Sequence, residues 1–308
     1  MCNIAAASSR EIGIIMITRS IAYLIYLAFR ILVGFFAIIP FRMIYVISDG
    51  LRFMLQYVIR YRFNVITSNL ERVFPACTKQ QIYTLRSEFY KALTDWFLEG
   101  LKGFTLSEGS LKKRYAMNPC EEMDELFKQG KSVLFAGSHY NNWEWGVLIF
   151  NKIVKHQICG IYQVVSNTYI HEYLMKRRAR FGMKLISAQG AVATITGMEG
   201  VNAVMTLSDQ SPVNMDYAIW LDFLGTKTPF LHGLEAMAKK TGYPVVYYEV
   251  TQSKRGFYEI NARLLVADPK ETEPGKITKL YAAALEATIK KNPARWLWSH
   301  RRWKRVEG

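Results

Sequence analysis

The chain predicts an α/β fold: a mostly parallel central sheet flanked by helices, behind an N-terminal membrane-associated helical segment. Three observations predict it. From Lys131 onward, short apolar runs closed by small or polar residues (SVLFAGSH, QICGIYQVV, MKLISA, NAVMTLSD, YPVVYYEV) alternate with helix-length segments such as TYIHEYLMKRRARF and GLEAMAKKTG. Strands that alternate with helices imply parallel pairing through crossovers. From Ile21 to Phe41 the chain is almost wholly apolar, and about 20 such residues suffice to cross a bilayer. Half of the 308 residues are apolar and 14% are aromatic, so a sizeable core is expected and global disorder is not.

The N-terminal segment has one interruption, Arg30. A charge at bilayer mid-depth costs at least ~2.5 kcal/mol on insertion scales. The arginine therefore snorkels, or the segment lies shallowly with the guanidinium at headgroup level. Pro40 lacks an amide donor and ends or kinks this helix. After it, FRMIYVISDGLRFMLQYVIRYR sets arginines at 42, 52, 60 and 62 among apolar pairs, the pattern of an amphipathic interfacial helix pair. These basic residues keep the rest of the chain cytoplasmic by the positive-inside rule. The expected organisation is an anchor over 12–62 and one catalytic domain over 63–308.

Within that domain, Thr78 caps a helix through QQIYTLRSEFYKALTDWFLEGLK that ends near Gly103. FYEINARLLV, from Phe257 to Val266, alternates and reads as a strand near a sheet edge. The segment from Asn292, NPARWLWSHRRWKR, is basic and tryptophan-rich, suited to covering the core with stems and rings or to binding headgroups.

The net charge of +15 calls for a polyanionic partner: nucleic acid, an anionic membrane surface or an acidic carrier protein. Nucleic acid is disfavoured, because no helix-turn-helix, zinc or RNA-binding motif is present and the apolar N-terminal segment has no use there. Cys2, Cys77, Cys120 and Cys159 lack CxxC spacing and nearby histidine pairs, so they read as reduced thiols with no disulfide framework or zinc site. No metal or cofactor is expected.

The chemistry gathers at one strand end. In open α/β sheets, active groups sit beyond the carboxyl ends of the strands. SVLFAG ends at Ser138 and His139 follows at once; Asn141 and Asn142 then cap a helix with Glu144 in its first turn. Of five histidines, only His139 has an acid five places on. A carboxylate there fixes the imidazole tautomer and stabilises the imidazolium formed when His139 takes a hydroxyl proton. This is the His–acid half of a serine-protease triad, with the substrate's own hydroxyl in place of serine. The other reading is structural: a histidine in a turn and a glutamate answering the helix dipole. An α/β-hydrolase is excluded, since no Gly-x-Ser-x-Gly elbow occurs.

GSHYNNWEWG resembles the His-x-x-x-x-Asp/Glu signature of glycerolipid and lipid A acyltransferases. The flanking blocks resemble the lipid A (lauroyl/myristoyl) branch: YRFNVITSNLERVFP, FYKALTDWFLEG, YQVVSNTYIHEYLMKRRARFGM, LSDQSP, WLDFLGTKTPFLHGLEAMAKKTGYPVV and PARWLWSHRRWK. The resemblance runs from about Ile21 to the end of the sequence. It implies a glycerolipid acyltransferase-like fold and transfer of a fatty acyl chain from acyl carrier protein to a hydroxyl of a lipid A precursor, at the inner (cytoplasmic) membrane with the catalytic domain facing the cytoplasm. His139 and Glu144 match its catalytic pair. Arg178 matches a basic residue near the donor or acceptor phosphate, with Arg180 the neighbouring candidate. Asp209 matches the acidic residue of the downstream block, which here reads Asp-Gln-Ser-Pro without a second acid two places on. Acylation of another lysolipid or aminolipid is the alternative within enzymes. Outside them, a non-catalytic basic membrane- or nucleic-acid-binding protein is the rival.

Overall fold

The structure, a computed structural model, describes residues 9–306, with side chains from Arg19 onward; Cys2 and residues 307–308 of the expected catalytic domain lie outside this range. In chain order the first elements are helices α1 (Ser9–Ile38), α2 (Phe41–Phe53), α3 (Phe63–Val73), α4 (Lys79–Gly103) and α5 (Glu108–Lys112). Strand β1 (Tyr115–Met117) and helix α6 (Glu121–Lys128) lead into the alternating region. That region runs β2 (Val133–Gly137), α7 (Trp143–Ile153), β3 (Gln157–Tyr162), α8 (Thr168–Ala179), β4 (Lys184–Ser187), α9 (Ala191–Thr196) and β5 (Asn202–Leu207). A hairpin, β6 (Ile219–Phe223) and β7 (Thr226–Phe230), precedes α10 (Gly233–Thr241). Strands β8 (Val245–Lys254) and β9 (Phe257–Val266) and helix α11 (Lys276–Lys291) complete the set.

Seven strands form one sheet in the order β1-β9-β8-β2-β5-β3-β4. Every pairing is parallel except β8 with β9, which a tight turn joins antiparallel. Alternate residues of β2 feed opposite layers. Leu134 and Ala136 pack with Leu234, Tyr281 and Trp296, while Val133 and Phe135 pack with Trp145 and Leu148. A parallel sheet covered on both faces reads as continuous apolar runs, which is why these strands carry little polar alternation.

The sheet matches the expected α/β architecture, and β9 lies near its edge as expected, with three residues of β1 pairing outside it. Two features differ. The β6–β7 hairpin was not anticipated; its sequence, IWLDFLGTKTPF, carries no strong turn dipeptide, and Leu224 reverses the chain at φ 51° just before Gly225. The expected interfacial helix pair is one helix: α2 continues into a π-helical turn, Met54–Val58, because residues 53 and 54 stay in the right-handed region and no breaker separates them. Thr78 caps α4 as expected, with Gln81 completing a capping box.

From Arg19 onward, helix α1 packs a narrow stripe, Ala22, Tyr26, Phe29, Val33 and Phe36, at four- and three-residue spacing. These side chains meet Tyr169 and Tyr173 of α8 and Phe104 beyond α4. Leu24, Ile25, Ile31, Phe35 and Ile38 on its other sides are exposed. Residues 19–38 are long and apolar enough to cross a membrane. Arg30 lies against the protein: its guanidinium donates to Tyr26 Oη at 2.9 Å and stands 4.8 Å over the Tyr173 ring. The C-terminal tryptophans Trp296, Trp298 and Trp303 are buried in the core, the first of the two expected roles for this segment.

Candidate active site

Parallel register builds the site. Gly137 of β2 pairs with Leu207 of β5, so the residues that follow, Ser138-His139 and Ser208-Asp209, leave adjacent strands at the same height. The chain departs β2 toward β3 and departs β5 toward β8, on the far side of β2. Loops that diverge from neighbouring strand ends open a crevice there. His139 Nδ1 lies 2.7 Å from Asp209 Oδ1, and the His139 backbone N–H donates to Asp209 Oδ2 at 3.0 Å. Trp296 Nε1–H donates to the same Oδ2 at 2.9 Å. With Asp209 ionised and accepting only, Nδ1 carries the proton and Nε2 holds a free lone pair. Gln210 Nε2 stands 3.3 Å from that Nε2.

The His139 side chain is 18% exposed and that of Asp209 only 2%, so a substrate reaches the imidazole and not the carboxylate. Burial alone would lower the His139 pKa, but the Asp209 charge and hydrogen bond, with a smaller contribution from Glu144, raise it above its ordinary 6.5. Burial likewise pushes the Asp209 carboxyl up, and His139 with the Trp296 indole outweighs it, leaving the group below 3.8. His300, nearby, is driven down to about 4 by burial and accepts the Ser211 N–H on Nε2, so it stays neutral.

The turn after His139 is held from a distance. Asn141 takes φ 53°, its N–H donates to Arg295 O at 2.9 Å, and its side-chain amide donates to Val250 O. Tyr140 bridges to Trp296 and donates its hydroxyl to Asn292 O at 3.0 Å. Asn142 caps α7 by accepting the Trp145 N–H at 3.0 Å. Glycine is required at 137. A β-carbon there would land on the Tyr248 ring, which itself stacks on Phe135. Gly137→Ala is expected to lower stability by about 1–3 kcal/mol through overpacking and to reduce activity by displacing the His139 turn. Thermal melting and a transferase assay check both.

The expected residues divide into three groups. Asp209, expected as a substrate-binding acid, is the carboxylate on His139 Nδ1. Glu144, expected there from its spacing, instead accepts two hydrogen bonds from Arg178 Nη2, at 2.9 and 3.1 Å. The reason is local: the Asn142 cap starts α7 so that Glu144 meets α8, which carries Arg178. Glu144 and Arg178 line a cavity of about 570 Å³ together with Gln210 and the apolar side chains Phe29, Leu101 and Leu174. Arg180 is elsewhere. Its guanidinium donates to the carbonyls of Gly103, Phe104 and Leu106, closing the C-terminus of α4, and it does not line the cavity.

Sequence reasoning missed Trp296, Gln210 and the use of Asn142 as a link. One signal was available: both LFAGSH and VMTLSD end an apolar run with serine followed by a titratable residue, which parallel pairing sets side by side.

No curated protein matches the chain. Residues 15–305 match the family described as bacterial lipid A biosynthesis acyltransferase. A match over that span, on an α/β sheet whose strand ends bring a histidine and a carboxylate together beside Gln210 of a largely apolar cavity, makes the chain an acyltransferase and a member of the bacterial lipid A biosynthesis acyltransferase family.

Proposed function

We propose that the enzyme transfers a fatty acyl chain from acyl carrier protein to a hydroxyl of a lipid A precursor, with His139 as general base. The observation that carries this reading is the 2.7 Å hydrogen bond between His139 Nδ1 and Asp209, which favours the tautomer with Nε2 unprotonated, beside Gln210 of the cavity. The acceptor hydroxyl gives its proton to Nε2 while its oxygen attacks the thioester carbonyl. The tetrahedral intermediate collapses, the carbon–sulfur bond breaks, and the imidazolium returns the proton to the carrier's thiolate. Asp209 holds the tautomer and balances the imidazolium charge. The role first assigned to Glu144 thus passes to Asp209. Glu144 keeps a share by holding Arg178 at the cavity and by its charge near His139. Arg178 meets a phosphate of donor or acceptor, where a planar guanidinium suits an anionic oxygen.

The cavity takes the acyl chain. Its volume falls in the range of about 300–1,000 Å³ common to ligand pockets, and its walls come from α1, α4 and α8. Phe97 and Tyr61 stand at it and are themselves exposed, continuous with the apolar surface of α1, α2 and the π-helical turn. That surface, edged by Arg42, Arg52, Arg60 and Arg62, rests at an anionic membrane, and the basic net charge favours an acidic carrier protein. We assign the chain to the inner membrane with the catalytic side toward the cytoplasm, residues 12–62 forming the membrane portion and 63–308 the catalytic portion.

The test is direct: purified enzyme, carrier-bound acyl donors of defined length and a defined lipid A precursor, with product mass as readout. Absence of transfer to that acceptor, with transfer to a lysophospholipid instead, overturns the acceptor assignment. The cavity makes a second expectation. Gly100 lines it on α4, and a β-carbon there meets nothing within 4 Å. Gly100→Leu is expected to keep the fold and to favour shorter donor chains, read as a drop in kcat/KM that grows with chain length.

A further inference from the structure

Helix α4 carries three charged side chains along one buried stripe, Asp95, Glu99 and Lys102. Residues three and four apart share a helix face, and burying charge is costly unless each group is fully partnered. Each of these is, and by a different part of the molecule. Asp95 accepts Ser48 Oγ–H of α2 at 2.6 Å and two hydrogen bonds from Arg255 in the β8–β9 turn, at 2.8 and 2.6 Å. Lys102 Nζ donates to the carbonyls of Phe36, Ala37 and Ile39 at 3.1, 2.9 and 2.7 Å. These are the carbonyls that the end of α1 leaves without helical partners. Glu99 accepts from Tyr45 Oη of α2 at 2.8 Å, Tyr258 Oη of β9 at 2.6 Å and Asn142 Nδ2 at 2.6 Å. Its backbone carbonyl also takes the Trp145 indole N–H at 2.8 Å.

Asn142 is fixed at both ends of its amide. Its oxygen caps α7 through the Trp145 N–H, and its nitrogen donates to Glu99, so rotation of the amide would set oxygen against carboxylate. The residue lines the cavity and stands between His139 and Glu144 in the chain. We propose that Glu99 is a positioning residue for acyl transfer: by locking the Asn142 amide it sets where α7 begins, and hence the placement of the Glu144–Arg178 pair relative to His139, and through Tyr45 it couples that placement to α2. Burial, with the Asp95 charge beside it, raises the Glu99 carboxyl to about 7 against the opposing pull of the Tyr258, Tyr45 and Asn142 donors. The proposal rests on the reading of His139 as the base.

A polarity swap tests it. Glu99→Gln alone can keep its oxygen toward Asn142 and Tyr258 and turn its NH2 to the Tyr45 oxygen, whereas Asn142→Asp alone sets two carboxylates together. In the double variant the amide at 99 donates to the carboxylate at 142, whose other oxygen still caps α7; its oxygen keeps the Tyr45 hydroxyl, and Tyr258 becomes an acceptor of the second amide N–H. Asn142→Asp is expected to lower kcat by roughly 10–100-fold, the scale of a small misplacement at a reacting centre, with KM for donor and acceptor unchanged. Adding Glu99→Gln is expected to recover several-fold of that loss. An Asn142→Asp enzyme with unaltered kcat, or a double variant no better than Asn142→Asp alone, overturns the proposal. If a single variant fails to fold by thermal melting, Tyr45→Phe replaces it; that enzyme removes one donor from Glu99, is expected to lose kcat several-fold, and full activity in it also overturns the proposal. His139→Ala is assayed alongside. Full activity there removes the base itself, whereas an inactive His139→Ala enzyme beside a fully active Asn142→Asp enzyme removes only the positioning role.

Discussion

His139→Ala is expected to lower acyl transfer by about 10²–10⁴-fold, the usual contribution of a positioned base, while leaving the protein folded. The imidazole is partly exposed, and its removal takes one hydrogen bond from Asp209. The carboxylate retains the N–H groups of residue 139 and Trp296, so it is not stranded. Single-turnover transfer from a carrier-bound donor, with melting as the control, separates the two effects. Because a general base acts unprotonated and the His139 pKa lies above 6.5, activity in the native enzyme is expected to rise with pH through that raised value.

Asp209→Asn is the sharper experiment, because it preserves shape. Asp209 Oδ2 accepts both the residue 139 amide and the Trp296 indole, and Oδ1 alone faces His139 Nδ1. An amide in this place keeps its oxygen where two donors point and so presents its NH2 to Nδ1. The imidazole must then take the opposite tautomer, with the proton on Nε2, where no hydroxyl can deliver one. A loss of about 10²–10⁴-fold in kcat is expected, comparable to removal of the base itself. Nitrogen-15 shifts of the ring report the tautomer directly, and an unchanged tautomer with full activity would remove Asp209 from the mechanism.

The same substitution carries a stability signature. Asp209 titrates below its ordinary 3.8 in the folded protein, so its contribution is present above 3.8 and is lost as pH falls through the lower value. His139 titrates above 6.5, so its contribution is complete below 6.5 and is lost as pH rises through the higher value. The gap in unfolding free energy between native and Asp209→Asn enzymes should therefore be widest between 3.8 and 6.5 and narrow on the alkaline side.

How much of this was legible in the residues depends on distance along the chain. Local signals worked: the Thr78 capping box, the Asn142 cap, Pro40 as a boundary and the apolar runs of the strands each involve neighbours. The position of His139 was also legible, as a titratable residue placed where a buried strand meets a helix. Its partner was not, since pairing of β2 with β5 inserts the last of four consecutive strands beside the first. Nothing near residue 139 states that order. Glu144 drew attention because it is close in sequence, yet its direction is set by α7 and by Arg178, 34 positions away. Arg180 shared a charge run with Arg178 but points to the end of α4, a difference of helical phase that composition does not encode.

The Trp296 indole and the Arg295 carbonyl reach back more than 80 and 150 residues, to Asp209 and Asn141. Contacts so remote in sequence form late, because loop closure must precede them. A growing polypeptide that has already emitted both members of the dyad therefore still lacks the strap that immobilises it. During synthesis helix α1 and all seven strands of the sheet are made before residues 292–296, so the Asp209 carboxylate receives its Trp296 donor, and Asn141 its Arg295 acceptor, only from the last stretch of the chain.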